Sequence, residues 1–242
     1  QLNVGRTCIA PRRIFVTPEH RDALEEALKK ELADSKCRAM LPPQVLALAE
    51  RVVQAALSSG AKVLYGKLPT SSDKPCSPMV LSDVTPDMKI ARSDLFAPIA
   101  GILPVDSIDD ALVADKSCPY SLGGAVFGPS HYARYVSHQV SAGCVTINDI
   151  VAPTADPRVA FGGRDQSGWG VTRGAEGLLG MTRPKAICVR HGKWLPHLDR
   201  KLSQDSQSLV YILKLFHAPK LGARWRALMD LIEHVRKTPT KK

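Results

Sequence analysis

The chain has 242 residues, 44% of them apolar and 23% charged, with six cysteines and a formal net charge of +10. This length suits one large domain, or one domain with an appendage, and the composition is that of an ordinary globular protein. No stretch approaches the ~20 apolar residues of a membrane-spanning helix, so no membrane partner is expected. The scattered cysteines form no C-x-x-C pair and lack a histidine at ligand spacing, which argues against a metal site and for a reducing, cytoplasmic setting.

In chain order, Arg13-Ile14-Phe15-Val16 reads as a strand. Thr17 and Pro18 then supply an N-cap and a first-turn proline, and Ala23, Leu24, Ala27, Leu28 and Leu32 recur at helical spacing. A second helix is predicted after Pro43, with Val45, Leu48, Ala49, Val52, Val53 and Ala56 on one face and Gly60 as its stop. Ala61 to Tyr65 reads as a buried strand, and the Pro-, Ser- and Lys-rich stretch 67–77 as an exposed loop. A strand over 102–105 precedes Ser107-Ile108-Asp109-Asp110, the S-x-x-D form of a capping box, which opens a short helix. Strands over 124–127 and 144–148 flank a helix over 131–140, and a proline-containing loop, 150–158, leads into a glycine cluster. Strands alternating with helices at this spacing predict an α/β domain, a largely parallel sheet flanked by helices, with its working loops at the carboxyl ends of the strands.

After Val189 the pattern changes to two helical segments, 205–216 and 222–237. Residues 191–242 hold eleven Lys/Arg against four Asp/Glu, a charge of +7, so the main body carries only +3. The expected division is therefore 1–190 for the α/β domain and 191–242 for a basic helical extension. Trp225, Leu228, Ile232 and Val235 form an apolar stripe that reads as a packing face. A basic tail can attract nucleic acid, but no nucleic-acid motif accompanies this one, so a solvated amphipathic helix pair is the expectation.

Four segments carry a resemblance: Asn3-Val4-Gly5-Arg6-Thr7-Cys8-Ile9-Ala10-Pro11; Ser93-Asp94-Leu95-Phe96-Ala97-Pro98; Tyr120 to Phe127 continued by Ala142 to Asn148; and Phe161-Gly162-Gly163-Arg164-Asp165-Gln166-Ser167-Gly168. In this order and spacing they resemble the active-site cysteine motif and later motifs of the aldehyde dehydrogenase superfamily, over residues 1 to about 190. The resemblance implies that Cys8 is the nucleophile. It places Asp94 where the family has a glutamate that contacts the nicotinamide ribose, with Phe96 packed beside it, and Thr7, Ile9 and Phe161 at substrate-pocket positions. Arg6 stands where family members commonly have glutamine, and Asp94 is one methylene shorter than the family's residue. The gap from Gly163 to Gly168 is that of a phosphate-binding loop, but Trp169 occupies the position where lysine is required, so that reading fails.

The chemistry implied is attack of a thiolate on an aldehyde carbonyl, loss of hydride to NAD or NADP, and cleavage of the resulting thioester to a carboxylic acid. It needs an accessible, readily ionised thiol, oxyanion donors, a bound dinucleotide and a base for hydrolysis. In the family the dinucleotide-binding domain, the general base and the oxyanion asparagine lie upstream of the cysteine motif, whereas seven residues precede Cys8 here. The resemblance thus implies the catalytic half of an enzyme, inactive without an N-terminal half and partnered by that half or by further copies. The alternative is a non-catalytic interaction protein derived from the same fold.

Overall fold

The computed structural model describes residues 2–35, 38–150, 154–189, 191 and 205–237. The chain divides into two compact units, Gln1–Pro184 and Lys185–Lys242. In the first, a four-stranded sheet runs in the order β1-β4-β3-β2, built from β1 (Arg13–Val16), β2 (Lys62–Tyr65), β3 (Met79–Ser82) and β4 (Ile99–Pro104). β4 pairs in parallel with both β1 and β3, while β2 runs antiparallel to β3. The architecture is α/β with a mixed, mostly parallel sheet. β6 (Gly123–Val126) and β7 (Cys144–Ile147) form a second, parallel pair, and the short β5 (Tyr120–Ser121) pairs antiparallel with β8 (Arg164–Asp165).

Helix α1 (Pro18–Ala33) starts where proline pre-sets the first turn, but Thr17 makes no capping bond to the backbone. Its hydroxyl lies 3.2 Å from His20 Nδ1 instead. In α2 (Pro43–Ser58) Leu46, Ala49, Val52, Val53 and Ala56 are buried, and they join Leu81, Val84 and Leu103 in the main core. Each such aliphatic side chain contributes roughly 1.5–3 kcal/mol by leaving water. Gly60 follows with φ +104, as a helix stop requires. After the short α3 (Lys89–Arg92), α4 (Ile108–Lys116) opens on Ser107, whose Oγ accepts from Asp110 N at 3.1 Å. The Asp110 carboxylate accepts from the same hydroxyl at 2.6 Å. α5 (Ser130–Ser137) and α6 (Gly174–Gly180) complete the unit.

Two expectations are corrected. β2 is not buried: it is an edge strand, and Lys62 and Val63 face solvent, because one side of the strand has no neighbour. The buried strand is β3, fully enclosed between β2 and β4, which no alternation in Met79-Val80-Leu81-Ser82 signals.

The second unit is a helical hairpin, α7 (Ser206–His217) and α8 (Leu221–Lys237). Asp205 caps α7, accepting from Ser208 N at 3.1 Å and from Ser208 Oγ at 2.6 Å, and His234 Nε2 lies 3.0 Å from both its oxygens. Ser208, first through its hydroxyl and then through its amide, pulls the Asp205 pKa from 3.8 to about 2, and His234 acts in the same direction. A carboxylate with a depressed folded pKa stabilises fully above its unfolded value and loses that contribution as pH falls through the folded one. Hydrogen-exchange protection of the Ser208 amide is therefore expected to decline between pH 3.8 and about 2, whereas Asp205→Asn, which still caps, keeps flat protection across that window. Ser208 and Ala227 are buried in the hairpin, but Trp225, Ile232 and Val235 are exposed. The face of α8 turned to α7 carries Ala227 and His234, about a third of a turn away from the centre of the apolar stripe, so of the stripe only Leu228 is half-buried and the rest does not pack within the hairpin. Residues 192–204 lie outside the described residues.

Candidate active site around Cys8

The four motif segments come together through close backbone approaches. Asn3 to Pro11 begins in a 3-10 turn, Leu2–Gly5, in which Gly5 has φ +73. A Cβ on Gly5 would stand 2.9 Å from Pro98 Cα, so only glycine lets the cysteine segment lie against Ser93–Pro98. Ile9 reaches to 4.0 Å of where a Gly123 Cβ would be, which joins the cysteine segment to β6. The glycine cluster closes on β7 at Gly143, where a Cβ would fall 1.9 Å from Gly162 O.

Cys8 is exposed on a turn closed by Ala10 N donating to Thr7 O at 3.1 Å. The turn is clamped by Arg12, which donates to Ala10 O at 2.9 Å and to Thr7 O at 3.3 Å and 3.4 Å. Arg12 Nε lies 2.7 Å from Asp94 Oδ1, an ion pair rather than an aligned hydrogen bond, and the guanidinium carbon sits 5.2 Å over the Phe96 ring. Burial lowers the Arg12 pKa, while attraction to Asp94 and then to Cys8 opposes that fall. Arg12 thus links four of the residues singled out by the sequence, Thr7, Cys8, Asp94 and Phe96. Arg6 does not play this part, since it donates to Met40 O at 3.1 Å.

Cys8, Ile9, Arg12 and Asp94 line one cavity of about 550 Å³, bounded on its far side by β6 and by Gln166 and Ser167. Thr7, Phe96 and Phe161 are not in its lining. Phe161 instead forms a two-bond bridge with Thr172 (2.9 and 2.8 Å) under the Arg173 guanidinium at 6.0 Å. Cys8 and Asp94 sit on the segments that enter β1 and β4, at the amino edge of the sheet. The expected position at the carboxyl ends is therefore wrong for these two residues, because each motif precedes its strand. Arg12 escaped the sequence reading; the signal available was the Arg12-Arg13 pair four residues past the thiol, of which Arg13 is taken up by Asp115 at 3.1 Å.

Of the other described thiols, three differ from Cys8. Cys76 and Cys118 are buried, and burial raises the Cys144 pKa; Cys188 is exposed. Since Arg12 holds the Thr7 and Ala10 carbonyls of the turn that presents Cys8, Arg12→Gln is expected to slow alkylation of Cys8 by roughly threefold to tenfold. Cys188 in the same sample, followed by mass spectrometry after digestion, should keep its rate.

The sequence profile of the aldehyde dehydrogenase family matches residues 1–187. The chain belongs to that family. A succinate-semialdehyde dehydrogenase (NADP(+)) of Deinococcus radiodurans is 33% identical, over 76% of this chain and 41% of its own length. An aldehyde dehydrogenase-like protein of Schizosaccharomyces pombe is 30% identical over 96% of this chain, so the likeness extends into the C-terminal unit, and over 48% of its own length. Among solved structures, an NAD-dependent aldehyde dehydrogenase from Sinorhizobium meliloti superposes with a TM-score of 0.72 at 27% identity, over 79% of this chain and 41% of that one. The chain spans between a third and a half of the length of these curated relatives. Among the described residues of this aldehyde dehydrogenase-family chain, no helix is long and apolar enough to cross a membrane.

Proposed function

We propose that residues 1–190 supply the nucleophilic half of an aldehyde oxidation, with residues 191–242 as a separate extension. The observation that carries this reading is the exposed Cys8 thiol, opening with Asp94 into one cavity and held on a turn clamped by Arg12. The Cys8 thiolate adds to the carbonyl carbon of a small-molecule aldehyde, forming the carbon–sulfur bond of a thiohemiacetal. Loss of hydride leaves a thioester on Cys8, and water cleaves it to the carboxylic acid. A nicotinamide dinucleotide, when bound, supplies the hydride acceptor.

Among the described residues, the fit to that cofactor is at its ribose end. The Asp94 carboxylate faces the cavity and can accept from ribose hydroxyls, with Phe96 alongside, but Arg12 already holds one carboxylate oxygen. A ribose bound there competes with Arg12 for Asp94. Of the residues proposed around the aldehyde, Ile9 is on the cavity wall, whereas Thr7 and Phe161 are outside that lining. Neither the base for thioester hydrolysis nor a side-chain oxyanion donor is assigned to this chain, and it covers 41% of the length of the succinate-semialdehyde dehydrogenase it resembles. We therefore read it as one part of a larger catalytic assembly. Exposed Trp169, Leu178, Leu179 and Met181 support contact with further protein, whether the rest of such an assembly or another copy.

The test uses the 242-residue chain with NAD or NADP and a panel of aldehydes. Mass spectrometry should show an aldehyde-derived adduct on the peptide containing Cys8, with little or no steady production of reduced cofactor. Sustained turnover by the chain alone counts against the half-site reading; the absence of any Cys8 adduct counts against the nucleophile itself. A non-catalytic descendant of the fold would show no preference for Cys8 over Cys188.

A further inference from the structure

The helical hairpin 205–237 presents one face that neither helix uses to pack against the other. Advancing about 100° per residue from the buried Ser208 of α7, the side chains of Leu209, Leu213 and Phe216 fall on one flank of that helix. Advancing likewise from the buried Ala227 of α8, Leu221, Trp225 and Ile232 fall on one flank. In an antiparallel pair of right-handed helices, flanks displaced in the same rotational sense from the shared interface lie on the same side of the hairpin. The six side chains therefore build one two-helix apolar face, and all are exposed, Phe216 at 63% and Trp225 at 67%. The opposite side carries Lys214, Arg226, Glu233 and Lys237. The asymmetry is that of an amphipathic element lying in an interface.

Charge selects the occupant. The hairpin 205–237 holds six Lys/Arg against three Asp/Glu, a charge of +3, within residues 191–242 that carry +7 together, and the remaining 190 residues carry +3. A second copy of the hairpin would bring like charge against like charge, while a negatively charged surface is complementary. A groove that receives one amphipathic helix would leave half of this two-helix face uncovered, whereas a flat surface meets both helices at once. Tryptophan and phenylalanine on the apolar side, with Arg224 and Arg236 of α8 at its two edges, suit the boundary between acyl chains and headgroups. We propose that the hairpin docks flat on an anionic lipid bilayer through Leu209, Leu213, Phe216, Leu221, Trp225 and Ile232, without crossing it. This differs from a membrane span, since among the described residues no helix is long and apolar enough to traverse a bilayer. It stands apart from the oxidation proposed for Cys8 and does not depend on it.

The 242-residue chain is mixed with phosphatidylcholine vesicles with and without roughly 30% phosphatidylserine, and bound protein is collected by sedimentation. Binding is expected to be at least about tenfold stronger to the anionic vesicles and to weaken as salt rises. Emission from Trp225, isolated by comparison with Trp225→Phe, should move to the blue on binding. Leu213→Glu with Trp225→Glu should reduce binding about tenfold or more, with unchanged far-ultraviolet circular dichroism. Equal partition into neutral and anionic vesicles, or no partition into either, overturns the proposal. So does sedimentation of the lipid-free chain as a dimer that Trp225→Glu dissociates, which would assign the face to a second copy.

Discussion

Replacing Cys8 by serine is expected to abolish the aldehyde adduct and, in an assembly competent for turnover, to lower kcat by about ten-thousandfold or more. Serine preserves the size and exposure of the side chain, but a hydroxyl is a far weaker nucleophile than a thiol toward a carbonyl carbon. Nothing else in the cavity can take over. Cys118, the other thiol in its lining, is buried, and Cys144 is outside the lining and held back by burial. Serine should leave the fold intact, because the turn is held by main-chain groups, Ala10 N to Thr7 O, and by Arg12 on the Thr7 and Ala10 carbonyls. Intact-mass analysis with aldehyde, alongside a thermal melt, separates loss of chemistry from loss of structure. A Cys8→Ser protein that still acquires the adduct would move the nucleophile elsewhere.

The elements that the sequence made legible are those whose signal is local. The proline at the start of α1, the apolar spacing of α2 and the Ser107–Asp110 cap each act within a few residues, and each appears in the structure. What stayed hidden depends on neighbours far along the chain. Met79-Val80-Leu81-Ser82 is a buried strand only because β4 and β2 flank it, and Lys62–Tyr65 is an edge strand only because β3 alone pairs with it. The α8 stripe has helical spacing, but spacing cannot say which flank meets α7. At the site, the motifs led to Cys8 and Asp94, and the structure opens both into one cavity. Phe96 was legible as a companion of Asp94, but not as the ring beneath Arg12. Arg12 itself carries no motif; its role arises when the β1 and β4 entries lie side by side, which only the sheet order reveals.

The same dependence on long-range packing makes Gly143→Ala a strongly disruptive addition of a single methyl group. The new Cβ would stand 1.9 Å from the carbonyl oxygen of Gly162, a backbone atom that cannot turn aside as a side chain can. Either β7 or the 161–168 segment must move, and the cost is expected to be about 3 kcal/mol or more. In a protein of this size that corresponds to a fall in Tm of about 6–12 °C. The control is Gly180→Ala at the end of α6, where an added Cβ meets nothing within 4 Å; helix propensity should make it neutral or stabilising by up to about 1 kcal/mol. The displaced segment also brings Gln166 and Ser167 to the cavity wall, and Ser167 Oγ accepts from Ser121 N at 2.9 Å. Loss of that bond opens the wall facing Cys8. Gly143→Ala should therefore weaken aldehyde capture at Cys8 even below its melting temperature, while alkylation of Cys8 by a small reagent that needs no pocket proceeds at the unmodified rate. Equal stability of the two alanine variants would show that β7 and the glycine cluster do not approach as closely as this structure has them.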